Sequence, residues 1–194
     1  MDTVRYYAAL ILLISMPPGL ILWLFIHPFA TLWRKLGPVW TYTILGLPMV
    51  VLGYNIFLAR DFLLAGDFGT STLTIVLAFL AMIGALVIGL KRKKHLTFGI
   101  LSGLPELSEK RYPGKLLKEG IYGKIRHPRY IEALLGVLAY AFFSNYLATY
   151  IVFLFGLPMI YIIVLLEERE LLDRFGDEYK AYSQSVPRFL PKLH

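Results

Sequence analysis

Two short polar clusters in an otherwise greasy chain hold the side chains that could do chemistry. One is Gly120-Ile121-Tyr122-Gly123-Lys124-Ile125-Arg126-His127-Pro128-Arg129-Tyr130, the other Glu167-Glu168-Arg169-Glu170. A residue before proline is pushed out of the helical region, and proline suits a helix's first turn. His127 is therefore expected at the N-terminal boundary of a helix, where unpaired N–H groups and the dipole suit a carboxylate or phosphate. Arg126 and Arg129 add charge on either side; the blander reading of the same residues is a basic cap beside the membrane. Glu167 and Glu168 follow directly on a run of Ile, Val and Leu, where a carboxylate is costly unless solvated or paired. Either the helix leaves the membrane there, or one carboxylate binds a hydroxylated or cationic ligand.

The elements that must position these clusters are set by composition. The chain has 194 residues, of which 57% are hydrophobic and 17% charged. That is too apolar for a soluble domain, and several stretches approach the roughly 20 residues that cross a bilayer as a helix. The reading is an all-α polytopic membrane bundle. No Ala-x-Ala site follows the first apolar stretch, so it reads as a span and not a removable signal. The chain has no cysteine, which excludes disulfides, thiolate ligands and a cysteine nucleophile. The net charge of +7 is assigned to membrane orientation and anionic lipid, and nucleic acid is not expected as a partner.

Taken in order, residues 1–90 form a three-span anchor: Tyr6 to Ile26, kinked at Pro17-Pro18; Val39 to Leu58; and Thr72 to Leu90. His27 to Gly37 is expected as a short loop carrying Arg34 and Lys35, and Arg60 to Ser71 as a polar turn with Asp61 and Asp67. Ala81, Ala85 and Gly89 fall at i, i+4 and i+8 and offer one smooth face for close helix packing. Residues 91–130 form a basic loop that begins Lys91-Arg92-Lys93-Lys94-His95. The positive-inside rule puts it in the cytoplasm, with the Asp61/Asp67 turn and the N-terminus outside.

Residues 131–166 are mostly apolar and would reach about 54 Å as one helix, far beyond a hydrocarbon core of about 30 Å. Ser144-Asn145 interrupts them. The expectation is a helical hairpin, Ile131 to Phe143 and Tyr146 to Leu166, giving five membrane helices with the last two paired. His127 and Glu167 then meet at one face. Residues 167–194 form a cytoplasmic tail completing the site. Its amphipathic helix carries Leu171, Leu172, Phe175, Tyr179 and Tyr182 at helical spacing.

His27, His95 and His194 lack metal-ligand spacing, so no metal is assigned, and no G-x-G-x-x-G or Walker loop is present. Tyrosines such as Tyr122 and Tyr130 are also common at membrane interfaces. The basic run from Lys91 to Lys94 reads as a topology signal. The spans Val39–Leu58 and Thr72–Leu90 contain no ionisable residue, which argues against a transporter.

The ordered set Gly120-Ile121-Tyr122, Arg126-His127-Pro128-Arg129-Tyr130, apolar hairpin, Glu167-Glu168, Phe175-Gly176-Asp177-Glu178-Tyr179 and Val186-Pro187-Arg188 resembles the isoprenylcysteine carboxyl methyltransferase family. It is similar also to the related membrane phospholipid methyltransferases. The resemblance covers roughly residues 114–191. It implies an S-adenosylmethionine-dependent integral membrane methyltransferase acting on a lipophilic acceptor, with its site on the cytoplasmic face. Carried over by position, the cofactor contacts are Gly114, Lys115, Leu116, Leu117, Tyr122, His127, Pro128, Arg129, Tyr130 and Glu167, and the catalytic residues Glu167 and Arg126. The expected acceptor is a carboxylate such as that of a prenylated cysteine, the alternative a phospholipid amine. A membrane reductase shares the resemblance to the hairpin. Where the eukaryotic prenylcysteine enzymes have an arginine shortly before the acidic pair, residues 160–166 here have none.

Overall fold

The computed structural model describes residues 1–93 and 116–191. The described chain is helical: α1 Asp2–Ile26, α2 Ala30–Leu58, α3 Arg60–Leu63, α4 Thr72–Lys93, a 3-10 turn Gly120–Gly123, α5 Pro128–Ser144, α6 Leu147–Phe175 and α7 Asp177–Ser185. Among the described residues, α1, α2, α4 and α6 are long and apolar enough to cross a membrane. The fifth expected span corresponds to α5, whose 17 residues reach about 26 Å at the α-helical rise. Val39, Trp40, Leu47, Val50 and Tyr54 on α2 are exposed, as are Leu73, Phe79 and Leu80 on α4. An exposed apolar belt of this kind is what a lipid-facing surface requires.

Helix α1 runs through Pro17 and Pro18. Pro18 has no N–H to offer the Ile14 carbonyl. Gly53 of α2 closes on that carbonyl: a Cβ at Gly53 would sit 3.1 Å from Ile14 O. The loop expected over residues 27–37 is instead a three-residue turn followed by helix from Ala30. The irregularity is confined to Gly37, whose φ of 80° and ψ of 166° break the helix, with Pro38 starting the next turn. Arg34 is thereby on a helix face and not in a flexible loop.

The smooth face of α4 packs against α5, as the small-residue spacing predicts. Ala85 and Gly89 are buried, and a Cβ at Gly89 would fall 2.8 Å from Glu132 Oε1. Three residues on, the same stripe carries Arg92, buried and bonded to Glu132 through Nε at 2.6 Å and Nη2 at 3.1 Å. Arg92 is thus a packing residue, unlike its exposed neighbours Lys91 and Lys93.

Between α5 and α6 the break falls at Asn145, in the left-handed conformation. Asparagine tolerates that region better than most side chains. Around it the opposite end of the bundle is tied together. Buried Arg5 donates through Nε to Ser144 O at 3.0 Å and bonds Asp67. Leu147 N bonds Gly66 O at 2.8 Å. The Asp61/Asp67 turn and the start of α1 therefore share one end of the molecule, and His127 lies at the other.

Candidate functional site

Pro128 opens α5 and His127 is its N-cap, with φ −121° and ψ 55°, as the pre-proline restriction demands. The backbone N–H groups of Arg126 and His127, at and just before the helix cap, are both taken. They donate to Pro187 O and Arg188 O at 2.9 and 3.0 Å. An extended tail after α7 folds back and takes them. The His127 ring is buried, 5.9 Å from the Tyr130 ring and 6.2 Å from the Phe189 ring of that tail.

Glu167 and Glu168 directly follow the aliphatic run of α6, and consecutive residues on a helix point about 100° apart. Their surroundings differ accordingly. Glu168 is a hub for cations: Oε1 lies 3.0 Å from His127 Nε2, 3.0 Å from Arg126 Nη2 and 3.1 Å from Arg188 Nε, while Oε2 accepts from Arg188 Nη2 at 2.8 Å. Glu167 Oε2 lies 3.5 Å from His127 Nδ1. It is closed off from solvent and has no hydrogen-bond partner among the described residues. The same holds for Arg126 Nε and Tyr179 Oη. Buried polar atoms left this way are rare in proteins and call for a missing partner.

Burial alone would lower the pKa of His127, but the carboxylates of Glu167 and Glu168 on either side of the ring outweigh it and raise it. Burial raises the phenols of Tyr122 and Tyr179 and pushes Tyr182 up to about 12. These tyrosines are neutral hydrogen-bonding groups at ordinary pH. Tyr182 spends its proton on Tyr122 O at 2.7 Å, which locks α7 to the 3-10 turn. Bonding to Glu168 raises the pKa of Arg188.

Of the residues carried over by resemblance, Tyr122, Arg126, His127, Tyr130 and Glu167 lie around this cluster. Pro128 is buried beneath it. Leu116 packs with Tyr179 and Tyr182, and Leu117 is half-buried. Arg129 turns away, its guanidinium 4.8 Å above the Trp23 ring of α1. Gly114 and Lys115 lie outside the described residues. Sequence reasoning missed the part played by Arg188 and Phe189. The Val186-Pro187-Arg188 motif was visible, but an extended tail has no periodicity to say where its side chains go.

Beside the cluster is a cavity of about 610 Å³. Val87, Ile88, Ile121, Ile125 and Phe189 form its walls and Lys91 and Lys124 its polar edge. Its Phe189 wall touches the His127 environment. A cavity of this size and apolar character is suited to a hydrocarbon-bearing ligand.

Fold and site thus define an integral membrane helix bundle with a buried imidazole–carboxylate–guanidinium cluster at one end. The model of the phospholipid methyltransferase family matches residues 73–178, more than half of the chain, and the protein belongs to that family. The match runs from α4 to the start of α7 and takes in His127, Glu167 and Glu168, whereas Arg188 lies beyond it. No curated protein matches the chain. Membership makes the protein a methyltransferase.

Proposed function

We propose that this membrane methyltransferase moves a methyl group from S-adenosylmethionine to a lipophilic acceptor at the end of the bundle where His127, Glu167 and Arg126 meet. One observation carries the reading. Three elements deliver a buried carboxylate oxygen, guanidinium N–H and phenol to one region, each without a hydrogen bond among the described residues. A carboxylate oxygen suits an ammonium or a hydroxyl, and a guanidinium suits a carboxylate. That donor set fits the amino-acid and ribose portions of S-adenosylmethionine. Glu167, Arg126, Tyr179 and Tyr122 would hold it, with Leu116 and Leu117 as apolar wall. When bound, the cofactor supplies a methyl already activated on a sulfonium.

The chain's own groups supply placement and dryness, which such a transfer needs more than a strong base. His127 is held between the two carboxylates, and the tail from Val186 to Pro191 seals it from water. Arg126, fixed by Glu168, keeps its Nε inside. The apolar cavity lined by Phe189 would seat the acceptor's hydrocarbon chain.

Two acceptor classes remain distinct in chemistry. A carboxylate, such as that of a prenylated cysteine, is already ionised and needs no base. A phospholipid amine must lose a proton, and Glu167 is the candidate base: Glu168 is saturated by His127, Arg126 and Arg188, while, against the effect of burial, His127 holds the Glu167 carboxyl ionised, well below the usual carboxylate range. The family's description speaks for the amine; the lack of an arginine in residues 160–166 removes one support for the carboxylate. We further read α5 and α6 as a hairpin that makes five membrane helices with α1, α2 and α4. The excess of Lys and Arg at the His127 end supports a site on the cytoplasmic face.

The test is binding of tritiated S-adenosylmethionine to the detergent-purified protein and to His127→Ala and Glu167→Ala. Undiminished binding in both variants refutes the site. A methyl-transfer screen over phosphatidylethanolamine, prenylated thiol acids and amphiphilic carboxylates then separates the two acceptor classes.

A further inference from the structure

Helix α6 presents a second polar face, turned away from His127. Leu166, Arg169, Glu170, Asp173 and Arg174 recur at i, i+3, i+4, i+7 and i+8, one stripe of an α-helix. Opposite them is the corner between α1 and α2. The two surfaces enclose a cavity of about 320 Å³, lined among others by His27, Arg34, Arg169, Glu170, Asp173 and Arg174.

This cavity has a built floor. Glu170 accepts from Arg34 Nη2 at 2.7 Å and lies 3.0 Å from His27 Nδ1. The His27 side chain is 1% exposed, that of Glu170 10% and that of Arg34 16%. His27 is in turn stacked on Trp23, ring centroids 5.4 Å apart. The carboxylate therefore fixes a guanidinium and an imidazole at the base of the cavity, and α6 brings two more guanidiniums to its sides. Three arginines face two carboxylates in the lining, a surplus of one positive charge by count.

We propose that this cavity binds the phosphodiester headgroup of a membrane glycerophospholipid, at a site separate from the methyl-transfer cluster. Guanidinium groups match phosphate oxygens in pairs. The place is right: α1 ends at Ile26 and the aliphatic run of α6 at Leu166, so the cavity lies where apolar helix gives way to polar helix and lipid phosphates are found. The charge is right as well. Glu170 and Asp173 oppose a dianion, whereas a phosphodiester carries a single negative charge that the surplus can meet. This inference does not rest on the identity of the methyl donor or acceptor.

The experiment uses the full chain, delipidated in neutral detergent, with thermal unfolding as readout. Phosphatidylglycerol, diacylglycerol and inorganic phosphate are added separately. For a bound ligand at about a hundred times its Kd, the melting temperature of a chain this size rises by about 5–11 °C. The expected result is a rise of that order with phosphatidylglycerol, none with diacylglycerol or inorganic phosphate, and loss of the rise in Arg169→Gln/Arg174→Gln. Thr31→Trp, which fills the cavity and leaves every charge in place, should lose it too. An equal rise with diacylglycerol overturns the proposal in favour of unspecific apolar contact. An equal rise with inorganic phosphate overturns the lipid assignment. A rise that survives in both variants places the lipid elsewhere.

Discussion

Arg188 reaches back along the chain to clasp Glu168, through Nε at 3.0 Å and Nη2 at 2.8 Å to the same carboxylate oxygen. The contact holds the tail over His127, and the carbonyls of Pro187 and Arg188 complete the backbone of residues 126–127. Arg188→Ala removes the clasp and leaves those two backbone bonds and the packing of Phe189 to hold the tail. The Arg188 side chain is 38% exposed, so solvent screening brings the loss to about 1 kcal/mol, below the usual range for a charged hydrogen bond. Cofactor affinity should fall about fivefold on that scale, and proteolysis near Val186 should become faster. Arg188→Lys keeps the charge without the fork and should fall between. Wild-type affinity and protease resistance in Arg188→Ala would mean that the tail is held by something other than this clasp.

A pH dependence follows from His127. Its pKa in the folded protein is above the ordinary value because Glu167 and Glu168 outweigh the effect of burial. The folded state then binds a proton that the unfolded chain releases near pH 6.5. The stabilisation is complete below about pH 6.5 and is lost as pH rises through the raised folded value. The melting temperature of the wild type in detergent should therefore decline on the alkaline side. His127→Gln, which cannot take the proton, should give a flatter profile. A wild-type profile that rises with pH through this window would reverse the sign and sink the argument.

Much of this arrangement is legible in the residues. The pre-proline rule places His127 at a helix cap, the break in residues 131–166 falls at Asn145, and the small-residue spacing of α4 finds its packing face. What escaped has physical causes. Arg92 hides in a run of like residues, and only its helical phase, three past Gly89, marks it as inward. Glu167 and Glu168 are chemically equal in sequence, and the turn of the helix gives one three cations and leaves the other a buried oxygen without a hydrogen bond among the described residues. His27 and Glu170 are 143 residues apart, and no local periodicity links them. The loop expected around Arg34 failed because one glycine absorbs the whole break.

Arg92 and Glu132 join α4 to α5 where Gly89 makes room for the carboxylate. Their side chains are 8% and 27% exposed. Removing one partner leaves the other charge largely buried, at a cost of about 3 kcal/mol, whereas replacing both by apolar side chains costs far less. Arg92→Leu or Glu132→Leu alone should lower the melting temperature by about 6–12 °C, and the double variant should recover more than half of the loss. A double variant as unstable as the sum of the singles would show that the pair is not coupled. Lys91→Leu and Lys93→Leu, outside the stripe, should change stability little.

Asn145 separates backbone from side-chain effects at the far end of the bundle. Its φ of 57° lies in the left-handed region, its Nδ2 donates to Gly69 O at 2.9 Å and its Oδ1 accepts from Tyr150 Oη at 2.8 Å. Glycine keeps the conformation and loses both bonds, which costs about 1–2 kcal/mol. Alanine loses the same bonds and adds about 1–2 kcal/mol of backbone strain. Asn145→Ala should therefore melt below Asn145→Gly, and both below wild type. Because Arg5 reaches the neighbouring Ser144 carbonyl, the loss should appear as earlier unfolding of the whole bundle. Cofactor affinity of the molecules that remain folded should be unchanged, since His127 lies at the other end of α5. If alanine and glycine prove equal, the side-chain bonds and not the left-handed backbone select asparagine here.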